Sequence, residues 1–249
     1  MARSLSHRED PVQNAGTVAI PRDCFGLRSR NDVTSMRVLK VNPENLRDSE
    51  EAIVETAKTM LAGGMVVFPT DTVYGLGCDA TSESAIRKVF KAKKREGKKP
   101  LSIIVRDLAM AKKVAFVDHK LERALNLIWP GPITVILWRR HKLPDILTAG
   151  QETIGLRIPD YKLTYLLSEN MGRPFVATSA NITNEPATTK IVQVLDYFEK
   201  NYSKPDLVLD AGDLKFSEAS TVIDLTTSKP KIVRIGPVSP KKLMEILRV

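Results

Sequence analysis

The chain is poor in the residues that build disulfide frameworks and metal sites, and it has no long apolar run. Its 249 residues include only two cysteines, Cys24 and Cys78, and three histidines. Neither cysteine lies in a CxxC pair and the histidines lack metal-ligand spacing, so we expect no disulfide framework, structural zinc site or Ser-His-Asp triad. No apolar run approaches the ~20 residues that a membrane helix needs. We therefore expect a cytoplasmic protein without a membrane span, with His119 and His141 on its surface.

Two common nucleotide-binding motifs are absent or incomplete. No Gly-x-x-x-x-Gly-Lys-[Ser/Thr] sequence occurs, which excludes a P-loop. Residues 75–80 match the GxGxxA form of the dinucleotide fingerprint, but that fingerprint needs its first glycine directly at the end of a strand. Residues 69–74 intervene here. They indicate either a turn capped by Asp71 and the neighbouring threonines or a rim of hydroxyls that faces a cleft beyond the strand end.

Positive charge is concentrated in one short segment. The chain carries a net charge of +9, and residues 87–99 contain eight basic residues and one acid. Such a run indicates either a solvated helix end or the docking site of an anion. Lys93 differs from the other lysines of the run, because it continues the apolar stripe of Ile86 and Val89 on one helical face. A lysine on an inward face requires a partner, so we expect Lys93 to be buried and bonded.

Helices and strands alternate along most of the chain. Residues 1–35 show no apolar periodicity and predict a disordered tail, whereas residues 37–249 are patterned throughout. The periodicity predicts helices at 49–62, 107–114, 119–128, 161–170, 188–199 and 240–247, and one capped by Ser82 that carries the basic run. It predicts strands at 65–68, 102–105, 133–138, 155–158, 175–177, 207–209, 221–225 and 231–235. This order predicts an α/β protein with a single domain, in which helices flank a mixed sheet.

Polar side chains recur where apolar strands end. The segment 177–181 leads from a buried strand into small polar residues, of which Ser179 and Asn181 are uncharged donors suited to phosphate oxygens. Arg157 and Arg234 each lie within a short apolar strand, where an arginine is usually paired and suits bidentate capture of a carboxylate or phosphate. These groups favour chemistry by positioning and charge neutralisation, as in phosphoryl or nucleotidyl transfer.

Seven motifs follow one another between Arg37 and the C-terminus. They are FPTDTVYGLG at 68–77, KKR at 93–95 with Pro100-Leu101 after it, WPGPIT at 129–134, GLRIP at 155–159, TSAN at 178–181, STVID at 220–224 and RIG at 234–236. In this order they resemble the YrdC-like family, the threonylcarbamoyl-AMP synthases, in its short, single-domain form. The resemblance implies that residues 37–249 are a YrdC-like catalytic domain, a twisted α/β fold with a large basic cavity.

The resemblance also implies an activity. The family's nucleotidyltransferases form L-threonylcarbamoyladenylate and pyrophosphate from L-threonine, bicarbonate or CO2, and ATP. Mg2+ is held mainly through the ATP phosphates, so no metal-ligating side chains are expected. The product serves the threonylcarbamoyladenosine modification of tRNA next to the anticodon, and it reaches tRNA indirectly, through a threonylcarbamoyl transferase complex.

Residue roles follow from the motif positions. By resemblance, Lys93 and Arg95 are the catalytic pair that holds the ATP phosphates. The implied nucleotide contacts are Lys93, Arg95, Lys99, Thr153, Ser179, Asn181 and Arg234. The implied L-threonine contacts are Thr72, Arg157 and Ser220, with Arg157 as the partner of the carboxylate.

Departures from the family pattern leave alternatives open. Ile104 stands where many longer members have a histidine that contacts threonine, and Glu96 replaces the proline that usually follows the Lys-x-Arg pair. Ile104 keeps open a paralogue with the same fold and another carbamoyl or amino-acid substrate. An RNA-binding module is the other alternative, because the basic run permits it. The aromatic content of the chain is only 6%, and no aromatic residue lies between 91 and 100. Both facts disfavour an RNA-binding module, since base stacking needs aromatic platforms.

Overall fold

The structure is a computed structural model that describes residues 36–95 and 99–247. The predicted tail at 1–35 and Glu96 lie outside these residues. The helices within them are α1 (Glu50–Leu61), α2 (Glu83–Ala92), α3 (Leu108–Val114), α4 (His119–Ile128), α5 (Lys162–Met171), α6 (Ile191–Glu199) and α7 (Pro240–Leu247). The strands are β1 (Arg37–Lys40), β2 (Val66–Phe68), β3 (Gly75–Gly77), β4 (Ser102–Ile104), β5 (Ile133–Trp138), β6 (Thr153–Arg157), β7 (Phe175–Ser179), β8 (Leu207–Asp210), β9 (Thr221–Asp224) and β10 (Lys231–Arg234).

These strands form one mixed sheet, as the sequence predicts. Their order is β1-β8-β2-β3-β7-β4-β6-β5-β9-β10. Strand β8 pairs in parallel with β1 and β2, β4 with β6, and β5 with β9, whereas the other neighbours are antiparallel. Arg157 at the end of β6 lies opposite Ile104 at the end of β4. Ser179 at the end of β7 lies opposite Gly75 at the start of β3. Two predicted site residues, Arg157 and Ser179, therefore lie at the ends of β6 and β7, and each is paired with a terminal residue of the neighbouring strand, β4 or β3.

Apolar residues cover both faces of the sheet. In β2, Val66 and Phe68 pack into a cluster that includes Ile53 of α1 and Leu163 of α5. Val67, between them, packs into a second cluster that contains residues of α2, α3, α4, α6 and α7. Because successive side chains of a strand point to opposite faces, the alternation produces helices on each side of a central sheet.

Helix α2 is flanked by the predicted N-cap, Ser82, and by Lys93 as its C-cap. Ser82 Oγ accepts a hydrogen bond from the Ala85 N–H at 3.3 Å, which satisfies one of the free donors of the first turn. Ile86 and Val89 are fully buried, and Lys93, which caps the C-terminal end of the helix, is only 3% exposed. The predicted burial of Lys93 is therefore confirmed.

Two strands are not predicted by the sequence, and β3 is the more informative. A Cβ at Gly77 would lie 2.1 Å from the Val176 carbonyl oxygen, and a Cβ at Gly75 would lie 2.7 Å from the ring of Phe68. Glycine is required because the neighbouring strand and ring approach so closely. Because glycine has no side chain, β3 also lacks the alternation of apolar and polar residues by which a strand is recognised in a sequence. Strand β1 is mostly exposed, and it gives no such alternation either.

The remaining predicted elements are confirmed, with bounds that match or shift by up to three residues. The largest shift is at α6, which begins at Ile191 instead of 188, and β6 begins at Thr153 instead of 155. His119 and His141 are exposed, as expected. Within the described ranges, no helix combines the length and the apolar character that crossing a membrane requires.

Candidate active site

A cavity of about 190 Å³ lies where the ends of β3, β4, β6 and β7 meet. Its polar lining consists of guanidinium and hydroxyl groups, from Arg95, Arg157, Arg234, Thr70, Thr72, Ser102, Thr134, Thr178, Ser179 and Ser220. None of the described lining residues is acidic. Such a lining attracts anions. Both interpretations of residues 69–74 hold: Thr70 Oγ1 accepts the Thr72 N–H at 3.1 Å within the turn, and Thr70 and Thr72 also line the cavity.

Arg157 is held by three acceptors and keeps part of its guanidinium free. Nε donates to the Gly131 carbonyl oxygen at 3.2 Å, Nη1 donates to Thr72 Oγ1 at 3.0 Å, and Nη2 donates to Asp71 Oδ1. Asp71 Oδ2 accepts the backbone N–H of Asp160 at 3.1 Å. A guanidinium has five N–H groups, so the partners among the described residues leave one N–H on each terminal nitrogen of Arg157. Two such N–H groups are what a carboxylate needs for bidentate binding.

The pKa of Arg157 depends on its surroundings. Burial lowers its pKa, the carboxylate of Asp71 opposes that effect, and the charge of Arg234 adds to it. The guanidinium nevertheless stays protonated, because the ordinary pKa of arginine is so high. Two positive groups that repel each other at one cavity favour the binding of an anion.

A second polar group lies around Ser220. Its Oγ is 2.8 Å from Thr134 Oγ1. Arg234 donates from Nε and Nη2 to the Ser220 carbonyl oxygen at 2.9 and 2.7 Å, and from Nη2 to Ser220 Oγ at 3.1 Å. These bonds fix the guanidinium of Arg234 and do not involve Nη1, whose N–H groups can serve a ligand.

Arg95 has a buried donor that lacks an acceptor. Its Nη2 donates to the Pro100 carbonyl oxygen at 2.8 Å, whereas Nε has no hydrogen-bond partner among the residues that the structure describes. Burial lowers the pKa of Arg95. A buried donor left without an acceptor costs about 1–3 kcal/mol or more. Because Arg95 lines the cavity, an anionic ligand there would satisfy this donor.

Lys93 lies behind the cavity wall. Its Nζ donates to the carbonyl oxygens of Ser179 and Asn181 at 2.6 and 2.9 Å, and to Asn181 Oδ1 at 2.9 Å. Burial, and to a smaller extent the charge of Arg95, lowers the pKa of Lys93 to about 7. The partner expected for an inward lysine is thus the segment 179–181, at the end of β7 and directly after it.

The predicted site residues divide into three groups. Six line the cavity: Thr72, Arg95, Arg157, Ser179, Ser220 and Arg234. Lys93 and Asn181 lie behind Ser179, bonded to each other. The structure does not bring Lys99 or Thr153 to the lining. Lys99 is exposed next to Pro100, and Thr153 begins β6, roughly 13 Å along the strand from Arg157.

Asp71, Ser102 and Thr134 belong to the site and are not predicted as site residues by the sequence. Asp71 is recognisable there only as a turn residue, whereas in the structure it anchors Arg157. Thr134 is the single polar residue in the apolar strand β5, a signal that could have identified it. Ile104, the departure from the family pattern, is 2% exposed and contributes an apolar side chain to the lining.

A family model matches the part of the chain that builds this cavity. It is the Sua5/YciO/YrdC model, described as "Telomere recombination", and it matches residues 58–236. The chain belongs to the Sua5/YciO/YrdC family. The match includes every described residue of the cavity lining, from Thr70 to Arg234.

Curated relatives in this family carry the name threonylcarbamoyl-AMP synthase. One from Pyrococcus abyssi is 33% identical over 186 residues, which are 74% of this chain and 54% of that protein. A putative threonylcarbamoyl-AMP synthase from Methanocaldococcus jannaschii is 35% identical over 83% of this chain and 96% of its own length. The chain therefore spans about half of the first relative and nearly all of the second.

Solved structures of the family share the fold. Pyrococcus abyssi Sua5 complexed with L-threonine has a TM-score of 0.76 and 32% identity, covering 86% of this chain and 61% of that one. Escherichia coli YciO has a TM-score of 0.76 and 27% identity, covering 84% of this chain and 100% of that one. The YrdC-like α/β fold expected from the sequence is confirmed.

Proposed function

We propose that the chain is a threonylcarbamoyl-AMP synthase. It would convert L-threonine, bicarbonate or CO2, and ATP into L-threonylcarbamoyladenylate and pyrophosphate. The observation that carries the proposal is one cavity that holds two incomplete anion sites: Arg157 with an N–H on each terminal nitrogen, and Arg95 with a buried Nε that lacks an acceptor among the described residues. The names of the curated relatives support the same activity.

The amino acid is assigned to the side of the cavity that contains Arg157. A carboxylate can accept both of its remaining N–H groups, and Thr72 Oγ1 keeps the guanidinium in place at 3.0 Å. The paired hydroxyls of Thr134 and Ser220, 2.8 Å apart, offer partners to the hydroxyl of L-threonine. Pyrococcus abyssi Sua5, which shares the fold, is known as a complex with L-threonine.

The nucleotide is assigned to the side that contains Arg95, Ser179 and Arg234. Phosphate oxygens are the acceptors that the buried Nε of Arg95 requires. Lys93 lies behind the wall, where its Nζ donates to Ser179 and Asn181, and an anion bound in the cavity would favour its protonated form. Lys99 and Thr153 would reach a nucleotide only at its periphery, because they do not line the cavity.

The chemistry needs no protein nucleophile. The amine of L-threonine takes up CO2 and loses a proton, which gives a carbamate. A carbamate oxygen then attacks the α-phosphorus of ATP, the bond from that phosphorus to the bridging oxygen breaks, and pyrophosphate leaves with the electron pair. Arg95 and Arg234 stabilise the charge that develops on the phosphoryl oxygens, and Arg157 holds the carboxylate so that the carbamate points at phosphorus.

Mg2+ is proposed to enter with ATP. Among the described residues no group of three or more His, Cys, Asp or Glu side chains could hold a metal. This composition suits a cation held mainly by phosphates and water, which is the usual coordination of Mg2+ in nucleotide sites. When bound, the cation would neutralise charge on the phosphates.

The product determines the partner. L-Threonylcarbamoyladenylate is a mixed anhydride, and we propose that it is passed to a threonylcarbamoyl transferase complex that modifies tRNA next to the anticodon. A cytoplasmic location is part of this proposal. It is supported by the low cysteine content of the chain, which fits a reducing compartment.

Pyrophosphate release tests the proposal. The purified full chain is incubated with ATP, Mg2+ and bicarbonate, with L-threonine or another amino acid added in turn. We expect release that depends on L-threonine. Arg157→Lys keeps the charge but loses the planar fork, so it should raise the KM for L-threonine by roughly tenfold or more. Arg173→Lys is the matched control, since Arg173 is half-exposed and lies outside the cavity lining.

Two outcomes would contradict the proposal. Pyrophosphate release that requires a different amino acid would show the same reaction type with another amino-acid substrate, as Ile104 allows. No release with any amino acid, together with RNA binding that weakens steeply with salt, would favour the RNA-binding alternative.

A further inference from the structure

The strand neighbours of Arg157 differ in chemistry on its two sides. In β4, Ile104 pairs with Arg157 in the parallel register. In β5, Thr134 lies one position before Val135, which pairs with the residue before Arg157. Side chains of residues that lie opposite each other in neighbouring strands share one face of the sheet. Because Ile104, Thr134 and Arg157 also line the cavity, a ligand held by Arg157 has an isoleucine on one side and a threonine on the other.

The isoleucine side is entirely apolar. Ile104 is 2% exposed and belongs to the same apolar cluster as Phe68 and Phe175. The rings of these two phenylalanines contact each other edge to face, with their centroids 5.4 Å apart. A hydroxyl placed against this surface would lose its hydrogen bonds to water without gaining others, which is costly. The surface around Ile104 therefore favours a methyl group.

The threonine side can donate and accept a hydrogen bond at once. Thr134 Oγ1 and Ser220 Oγ are 2.8 Å apart, so one hydroxyl donates to the other. Arg234 Nη2 donates to Ser220 Oγ at 3.1 Å. Whichever hydroxyl donates within the pair, the contacts among the described residues leave it one hydrogen and unused lone pairs. An alcohol, which likewise donates and accepts, is the ligand group that matches this pair.

The two sides together match the side chain of L-threonine. In an amino acid held by its carboxylate at Arg157, only Cα separates Cβ from that carboxylate, and Cβ of L-threonine carries one methyl and one hydroxyl group. We propose that Thr134 and Ile104 are specificity-determining residues: Thr134, paired with Ser220, binds the hydroxyl, and Ile104 contacts the methyl. L-allo-Threonine has the opposite configuration at Cβ. With its carboxylate and amine in the same places, it satisfies only one of the two sides.

The proposal rests on the proposed function for the identity of the preferred amino acid, but its test needs no turnover. The full chain, with Mg2+ and a non-hydrolysable ATP analogue, is titrated by calorimetry with L-threonine, L-serine, L-valine or L-allo-threonine. L-Serine lacks the methyl group and should bind roughly fourfold to tenfold more weakly than L-threonine. L-Valine lacks the hydroxyl, and L-allo-threonine misplaces one group, so each should bind about tenfold more weakly or worse.

Variants of Ile104 test the methyl contact. Ile104→Ala should reduce the preference for L-threonine over L-serine to about twofold or less, and Ile104→Val should reduce it in part. The matched control is Ile53→Ala, because Ile53 is a buried isoleucine of the same cluster outside the cavity lining. A loosened core would weaken both amino acids alike, so the ratio of their affinities is the measurement that counts. Ile104→Val decides the matter if Ile104→Ala does not fold.

A variant of Thr134 tests the hydroxyl contact. Thr134→Val keeps the shape of the side chain and removes its hydroxyl, so it should lower the preference for L-threonine over L-valine by about fivefold. The preference for L-threonine over L-serine should stay as in wild type, because both have a hydroxyl. Thr56→Val is the control, since Thr56 is a buried threonine of α1 that donates to the Ala52 carbonyl oxygen, away from the cavity lining.

The outcomes separate this proposal from the proposed function. Equal or tighter binding of L-allo-threonine by wild type would overturn the proposal. An unchanged ratio of L-threonine to L-serine affinity in both Ile104 variants would overturn the role of Ile104. No binding of any of the four amino acids would overturn both the proposal and the proposed function. The expected ratios without pyrophosphate release from ATP in the presence of bicarbonate would support the two specificity residues and contradict the synthase activity alone.

Discussion

The pair formed by Asp71 and Arg157 gives the most direct test of how the cavity is built. Both side chains are nearly buried, with 11% and 10% of their surfaces exposed. Asp71→Asn removes the charge that compensates the guanidinium and places an amide N–H or a neutral oxygen where a carboxylate stood. Breaking a buried ion pair on one side costs about 3–5 kcal/mol. Since Arg157 keeps Thr72 and Gly131 as acceptors, we expect a loss near 3 kcal/mol in the free energy of unfolding.

Chemical denaturation of the two proteins measures this loss. The control is Glu83→Gln, which breaks an ion pair with Arg87 whose side chains are more than half exposed. An exposed pair contributes about 0–1 kcal/mol, so the control should unfold at nearly the wild-type denaturant concentration. A loss in Asp71→Asn no larger than in Glu83→Gln would refute the reasoning, because Arg157 would then not depend on its buried partner.

Three further predictions concern stability. Burial lowers the pKa of Lys93 to about 7; above pH 7 the folded chain releases this proton while the unfolded chain keeps it, so the free energy of unfolding should rise with pH by up to about 1.4 kcal/mol per unit. The rise should be absent in Lys93→Met. It is best measured between pH 7 and 9, because burial raises the pKa of Cys78 above its ordinary value of 9.0, so that this thiol lowers the free energy of unfolding at higher pH. Gly77→Ala places a methyl group 2.1 Å from a carbonyl oxygen of β7 and should lower the melting temperature, with a cost of roughly 1–3 kcal/mol; a wild-type melting curve would contradict it. Tyr74→Phe removes a buried phenol that donates to one backbone oxygen at 2.6 Å and accepts one N–H at 3.1 Å; it should cost about 1–3 kcal/mol in denaturation, and an unchanged transition midpoint would count against this role.

The sequence predicts features that depend on local spacing. The burial of Lys93 follows from its position on the stripe of Ile86 and Val89, since residues three, four and seven apart share a helix face. The bounds of α4 and β5 follow from the same kind of pattern. These predictions succeed because neighbouring residues alone determine which side of a helix or strand is apolar.

Contacts between distant segments are beyond such reasoning. Asp71 and Arg157 are 86 positions apart, and their pairing depends on how β2 and β6 are arranged within the sheet. Thr153 belongs to the same strand as Arg157, and only the three-dimensional path of β6 shows that it lies away from the lining. The hydrogen bonds from Lys93 to Ser179 and Asn181 likewise join the end of α2 to the end of β7, across 86 and 88 positions of the chain. Sequence motifs identify such residues without showing which of them face a ligand.

Identification of the reaction product tests the central claim most directly. The purified chain is incubated with ATP, Mg2+, L-threonine and isotope-labelled bicarbonate, and the mixture is analysed by mass spectrometry. The account predicts an adenylate that contains both the threonine and the labelled carbon, formed in proportion to the pyrophosphate released. Pyrophosphate released without that adenylate, or an adenylate that lacks the label, would contradict it.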